Sequence, residues 1–257
     1  MPIMKFPAFR GLAVAALVLA AAPARAQETP TADQLVTRYL AAIGGPQAVQ
    51  RYTSMRVTGT VSIPAAGLTG TTDVSMAKPG KMLMTMQFPG LGEIRNGFDG
   101  TVGWGISPMT GPTVSDGAEL EQVRENANWP EMLTQLSEKT AYSTIETVGR
   151  AEYGGRPCWK VRLVRTSGRE SFLCFDVENG LIVATQRKQA SRMGEIEATT
   201  LVSDYRDFGG LKMATKSTTQ MAGQEMVFTT TAVEFDTVPA TAFDLPADIR
   251  TMVGNRQ

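Results

Sequence analysis

Carboxylates, six of which stand out as examples, and two cysteines are the side chains of this sequence considered for bond chemistry. Asp99, Asp176, Glu195, Glu197, Asp204 and Asp207 could supply an acid and a base of the kind a glycosidase uses, one protonating a leaving group while the other activates water or attacks. Each of them also stands where a turn cap or a solvated strand face would put a carboxylate. The chain has no histidine, which removes Ser-His-Asp and Cys-His nucleophilic systems and every imidazole-ligated metal site. Two cysteines are too few for a Cys₄ zinc site. No G-x-S-x-G elbow, G-x-x-x-x-G-K phosphate loop or G-x-G-x-x-G dinucleotide turn occurs. No catalytic residue, metal ligand or cofactor is therefore assigned.

Cys158 and Cys174 fall on consecutive strands of one expected hairpin, and bonding them would close a loop worth about 3 kcal/mol in chain entropy. A three-residue turn pairing Arg165 with Arg169 sets Cys174 opposite Lys160 and Cys158 opposite Asp176, a same-face diagonal that a bulge would have to bring to bonding geometry. A disulfide and a pair of buried thiols both remain open. The spacing lacks the C-x-x-C of a redox-active pair.

The most unusual stretch is Lys81–Phe88. In a strand, Met82, Met84, Met86 and Phe88 line one face, with Leu83, Thr85 and Gln87 on the other. Unbranched, polarizable thioethers can fill an irregular core or form the adaptable wall of a cavity for greasy ligands. Trp159, Val161 and Leu163, then Leu173 and Phe175, then Ile196, Ala198, Thr200 and Val202, and later Met226 and Phe228, repeat the one-sided alternation. Two modest helices do not obviously cover so much apolar surface. A cavity, sheet-on-sheet packing or a dimer would each absorb it.

Short links position these faces. Candidate strands at 55–63, 71–76, 81–88, 93–98 and 101–106 are separated by tight turn chemistry, which favours antiparallel neighbours. Asn96-Gly97 and Asp99-Gly100 are both reverse-turn pairs, and 109–117 reads as a Pro/Gly loop. Strands return at 142–148, 157–165, 170–176, 181–187, 195–204, 212–220, 225–231 and 232–235. A first helix starts at Thr31, with Gln34 at the capping-box position, carries Leu35, Val36, Tyr39, Leu40 and Ile43, and ends at Gly44-Gly45. Pro46 begins one more turn. A second helical region starts from Asp116, with Leu120, Val123 and Ala127 on one face, and breaks at Asn128-Trp129-Pro130 before Met132, Leu133 and Leu136. It is a plug or a lid for the sheet. The tail 243–246 packs the Phe243 ring at an edge and stops. The whole is a mainly β chain whose large antiparallel sheet must curl to bury one face.

Of 257 residues, 42% are hydrophobic and 19% charged, which suits one folded domain with a sizeable core. Residues 1–26 read as a secretory signal peptide: Lys5 and Arg10, the apolar run 11–22, then Ala24-Arg25-Ala26 before cleavage ahead of Gln27. Twelve apolar residues are too few to span a hydrocarbon core of roughly 30 Å. Without the leader, 22 basic residues face 25 acidic ones, and no basic stripe suggests nucleic acid as a partner.

The layout resembles the LolA/LolB-type periplasmic lipoprotein carriers and the family of outer-membrane lipoprotein-sorting proteins. The likeness covers residues 27–257 and rests on the first helix ending at Gly44-Gly45, Gly97-Phe98-Asp99-Gly100, Gly103-Trp104, the central helical insertion, and Phe175-Asp176 with Asn179-Gly180-Leu181. Asp204-Tyr205-Arg206-Asp207-Phe208-Gly209-Gly210 and the closing Phe243, Leu245 and Pro246 add to it. It implies an incomplete, strongly curved antiparallel barrel whose open side the helices cover. A noncatalytic periplasmic carrier would hold lipoprotein or lipid acyl chains there and meet membrane-bound donors or acceptors transiently, as a monomer. The cavity expected from it is lined by Met82, Met84, Met86, Phe88, Leu40, Trp104, Trp129, Leu133 and Ile196. An arginine takes part in closing the lid of such carriers; Arg38 is the candidate by position, with Arg95 and Arg206 as alternatives. A structural or stress-associated envelope protein with a filled core, and a carboxylate-dependent hydrolase, are the other readings.

Overall fold

The computed structural model describes residues 28–128, 135–136, 138–191 and 194–254. The proposed leader, Trp129 and Leu133 lie outside them. Helix α1 (Ala32–Ala42) starts as its local chemistry dictates: Thr31 accepts from the Gln34 amide and Gln34 returns a bond to the Thr31 amide. Its stripe of Leu35, Val36 and Leu40 is buried together with Ile43 just beyond it. At the exit Gly44 takes φ +117° against the Gly210 carbonyl, where any Cβ would collide. The short α2 (Pro46–Gln50) follows.

Six strands come next: β1 (Ser54–Ile63), β2 (Leu68–Ala77), β3 (Lys81–Phe88), β4 (Gly92–Phe98), β5 (Gly103–Ser107) and β6 (Gly111–Val114). Helix α3 (Gly117–Ala127) interrupts them. Seven more complete the sheet: β7 (Tyr142–Tyr153), β8 (Arg156–Arg165), β9 (Glu170–Asp176), β10 (Ile182–Ser191), β11 (Gly194–Phe208), β12 (Leu211–Met221) and β13 (Gln224–Phe235). The described residues end in α4 (Ala247–Gly254). Each set of strands is an antiparallel meander, and β1 pairs with β13 to join them into one 13-stranded sheet with β6 and β7 at its two ends. The sheet is not closed into a full barrel.

Helix α3 shows that it nevertheless curls. β4 and β10 are seven strand spacings apart in the order, which would separate them by roughly 34 Å in a flat sheet at ~4.8 Å per strand. Yet α3, only about 16 Å long at 1.5 Å per residue, touches both. The register carries one continuous inner face round the curve: Met84 beside Val74, Val61 beside Phe228, Thr200 beside Thr185, and Leu173 beside Val161. Helix α1 lies on the second meander's part of that face, over Trp159, Val161, Leu163, Phe175 and Leu211.

Three local expectations change. Asn96 and Gly97 sit inside β4 rather than in a turn, because both flanking strands pair with them. The expected loop 109–117 contains β6, a four-residue edge strand that tolerates Pro112 because an edge needs only one side of its backbone bonded. The tail does not stop at Pro246: it continues into α4, which buries Ile249 and packs near β6.

Candidate functional site

Four of the six candidate carboxylates are engaged separately. Asp99 Oδ1 accepts from the Thr101 and Val102 amides at 2.7 Å, and Asp207 Oδ1 accepts from Gly210 at 3.0 Å. Asp176 caps the β9–β10 turn through the Glu178 and Asn179 amides, at 2.9 and 3.1 Å, and accepts from Arg156 at 2.6 Å. Its burial raises its pKa, but those amides and Arg156 outweigh that and hold the carboxyl below its ordinary value. A general acid needs the opposite shift. Glu195 pairs with Lys188 at 3.5 Å. Among the described residues no group of three His, Cys, Asp or Glu side chains gathers as a metal site.

One cavity lies on the inner face of the second meander. It has a volume of about 230 Å³ and is bounded by Tyr39 of α1, Leu136, Leu163, Leu173 and Ile182, with Glu125 and Asn126 of α3 across its mouth. Tyr39 meets Phe175 edge-on at 5.8 Å, and burial pushes its hydroxyl up to about 12, so it stays a neutral donor. Arg165, Arg169 and Arg187 stand at the rim. Helix α3 is fastened there by polar contacts: Glu125 lies 3.5 Å from Arg165 and 2.9 Å from Arg169. Gln122 accepts from Arg169 at 3.1 Å and Asn126 from Arg187 at 3.0 Å. Only Ala127 of this helix is buried, whereas α1 buries four of its side chains. The two helices are therefore held differently, α1 mainly by apolar burial and α3, at its end over the cavity, by polar contacts.

The methionine face lies elsewhere on the inner surface. Met86 and Phe88, 7% and 1% exposed, form a packed cluster with Val61, and Met84, Ile94, Met226 and Phe228 close around it. Met82 borders a second, more open hollow under α3, beside Asn96 and Val123. Leu40 is buried in the packed core beneath α1. Ile196 shares the inner face with Ala198 but stands beyond the cavity, toward the start of β11. Trp104 also borders the hollow under α3, but its indole is turned away from it. It pairs with Gly97 while Met82 pairs with Phe98, so the indole covers Gly97 on the outer face, with the Arg95 guanidinium 5.3 Å from its centre. Arg38 donates to the carbonyls of Val177, at 3.1 Å, and Glu178, tethering α1 to the β9–β10 turn rather than reaching α3.

Cys158 and Cys174 are joined across β8 and β9 on the outer face, their Cα atoms 5.5 Å apart, inside a small cluster with Val183 and Ala184. Cys158 does face Asp176 and Cys174 faces Lys160, but the diagonal is spanned without a bulge between these strands. Sequence reasoning missed the three rim arginines. Arg165 and Arg169 flank an ordinary hairpin turn and Arg187 looks like any strand-end cation, so only the register of β8 to β10 brings them together.

No family model and no curated protein matches the sequence. Solved structures match its fold. A LolA superfamily protein from Nitrosomonas europaea is similar over 84% of this chain and 98% of its own, at 13% identity and a TM-score of 0.54. A DUF1329 family protein from Desulfovibrio piger is similar over 83% of this chain and 95% of its own, at 11% identity and a TM-score of 0.53.

Proposed function

We propose that this protein is a noncatalytic periplasmic carrier. It is exported by a leader cleaved before Gln27, shelters the acyl chain of a lipid or lipoprotein inside its curled sheet, and releases it to a membrane-bound acceptor. The observation that carries this reading is the asymmetry of the two helices around one apolar cavity. Helix α1 is a floor held by apolar burial, while α3 closes the mouth through Glu125, Gln122 and Asn126, polar contacts between partly exposed side chains that can be exchanged without opening the apolar core. Each methylene sheltered contributes about 0.8 kcal/mol, and an apolar lining makes no directional bond that would oppose release. The similarity to a LolA superfamily fold supports the same reading. So does the use of Asp99, Asp176 and Asp207 as turn caps, which leaves those carboxylates out of a hydrolytic pair.

The packing of Met86 and Phe88 favours a second reading, an envelope protein whose interior is simply filled. Purifying the exported protein from the periplasm, extracting it with organic solvent and analysing the extract by mass spectrometry separates the two. A carrier yields stoichiometric lipid and displaces a bound fluorescent fatty-acid probe. An empty extract together with no probe binding overturns the proposal.

A further inference from the structure

The rim of the cavity holds more positive than negative charge. Arg165, Arg169 and Arg187 face Glu125, the carboxylate that α3 brings to them. Glu170, the other acid on the wall, is engaged by Arg162, which also binds Glu146 at 3.0 Å. Arg187 donates to the neutral Asn126, and among the described residues no carboxylate forms an ion pair with it. It is at once inside the curl of the sheet and open to solvent. Immediately behind it the wall becomes apolar, with Leu136, Leu163, Leu173 and Ile182.

We infer that this cavity takes an amphiphile with one anionic head group, a carboxylate or phosphate, whose head displaces Glu125 and bridges Arg169 and Arg187 while its chain enters between Leu163, Leu173 and Ile182. The inference rests on the carrier reading and specifies its cargo. Guanidinium groups present paired donors that match the two oxygens of a carboxylate or phosphate, and such bonds are stronger than those between neutral partners. Three cations gathered near one anion repel each other where water is partly excluded, and Glu125 pairs only with Arg165 and Arg169, so a head group that bridges Arg169 and Arg187 brings its charge to the cation that Glu125 leaves without an ion pair. Consistent with this, desolvation and the neighbouring Arg169 both lower the pKa of Arg187, and Glu125 only partly opposes them. The volume of about 230 Å³ is many times the ~10–15 Å³ that admits a single water, room for a short chain with its head at the rim. Exchange of Glu125 for the ligand head would also unfasten α3, coupling loading to movement of the helix that closes the mouth.

The test uses the mature protein with decanoate, 1-decanol and acetate as probes, measured by calorimetry at low salt with thermal melts as folding controls. Decanoate binding at least ten-fold tighter than 1-decanol, with acetate failing to compete at the same concentration, is expected. In Arg187→Gln the preference for decanoate over decanol falls towards unity, in Arg187→Lys it is partly kept, and in Glu125→Gln decanoate binds several-fold tighter. Equal affinity for decanoate and decanol in the wild-type protein overturns the head-group assignment and leaves the carrier reading standing. Acetate competing as well as decanoate makes the rim a small-anion site and overturns it too. Binding of neither chain overturns the carrier reading and this inference together.

Discussion

Glu125 of α3 reaches across the mouth of the cavity to within 2.9 Å of the Arg169 guanidinium at the β8–β9 turn, so a helix that starts beside the β6 edge is fastened to the far meander by charge. The two side chains are 21% and 24% exposed, neither free in water nor sealed from it. A contact of this kind holds an element in place without committing the core to it.

Replacing Glu125 by Gln should loosen α3 while sparing the sheet. A partly exposed ion pair is worth about 1 kcal/mol, which corresponds to roughly five-fold faster opening. Amide hydrogen exchange over 117–127 should accelerate by about that factor while the global melting temperature barely moves. Unchanged exchange in the helix would mean that the charges do not fasten it.

Met86 belongs to a packed cluster, and Met86→Ala should therefore act on stability. Truncating a buried Met costs about 2–5 kcal/mol, visible as a lowered urea midpoint, while affinity for an acyl-chain probe at the second meander stays within two-fold. Lost binding with an unchanged midpoint would instead make the methionine face the cavity wall.

Cys158 and Cys174 close a separation of 16 residues. Reducing the bond, or replacing both residues by Ala, should remove about 3 kcal/mol of stability on the loop-entropy scale. The wild-type midpoint in reductant should then coincide with that of the double variant. Identical midpoints with and without reductant, together with two titratable thiols in the folded protein, would show that the sulfurs are unbonded.

Acid stability should turn on two aspartates. At Asp176 the penalty of burial is outweighed by the Asn179 and Glu178 amides and Arg156; at Asp236 the Thr53 amide and hydroxyl and the Ser54 amide act in the same direction. Both folded-state pKa values lie below the ordinary 3.8. Their contribution is therefore complete above about pH 4, the unfolded value, and is lost as pH falls through the folded values. Asp176→Asn and Asp236→Asn should each lower stability at pH 7 and flatten its decline below pH 4 in urea titrations. Asp236 sits at φ +57°, a conformation Asn also adopts, so the charge is removed with little backbone penalty. A decline as steep as that of the wild type in both variants would remove the two aspartates as its cause.

Local chemistry made most elements legible. The Thr31–Gln34 capping box is settled within four residues, and the two-residue alternation of Lys81–Phe88 follows from the pleat of any strand. Gly97 misled for the same reason. Asn-Gly is a turn pair in isolation, but β3 and β5 pair with this segment on either side, and the Trp104 indole occupies the space where a side chain would be. The strand at Gly111–Val114 has only four residues and includes a proline, so almost none of its signal is local. In 247–254 a single buried residue, Ile249, anchors a helix that follows a proline-containing turn, too little apolar pattern to announce itself.

By itself the sequence determined which residues share a face, where the chain reverses, and that no histidine-based chemistry is available, because pleat, turn propensity and composition are properties of neighbours along the chain. Tertiary structure decided which stretch of the inner face is packed and which stays open. It set α1 over Trp159 and Phe175, closed the methionines against Met226 and Phe228, and turned the indole of Trp104 outward. It also gathered Arg165, Arg169 and Arg187 around Glu125. Those outcomes depend on register summed across many strands and on where a helix comes to rest, and groups far apart along the chain meet only once the sheet has curled.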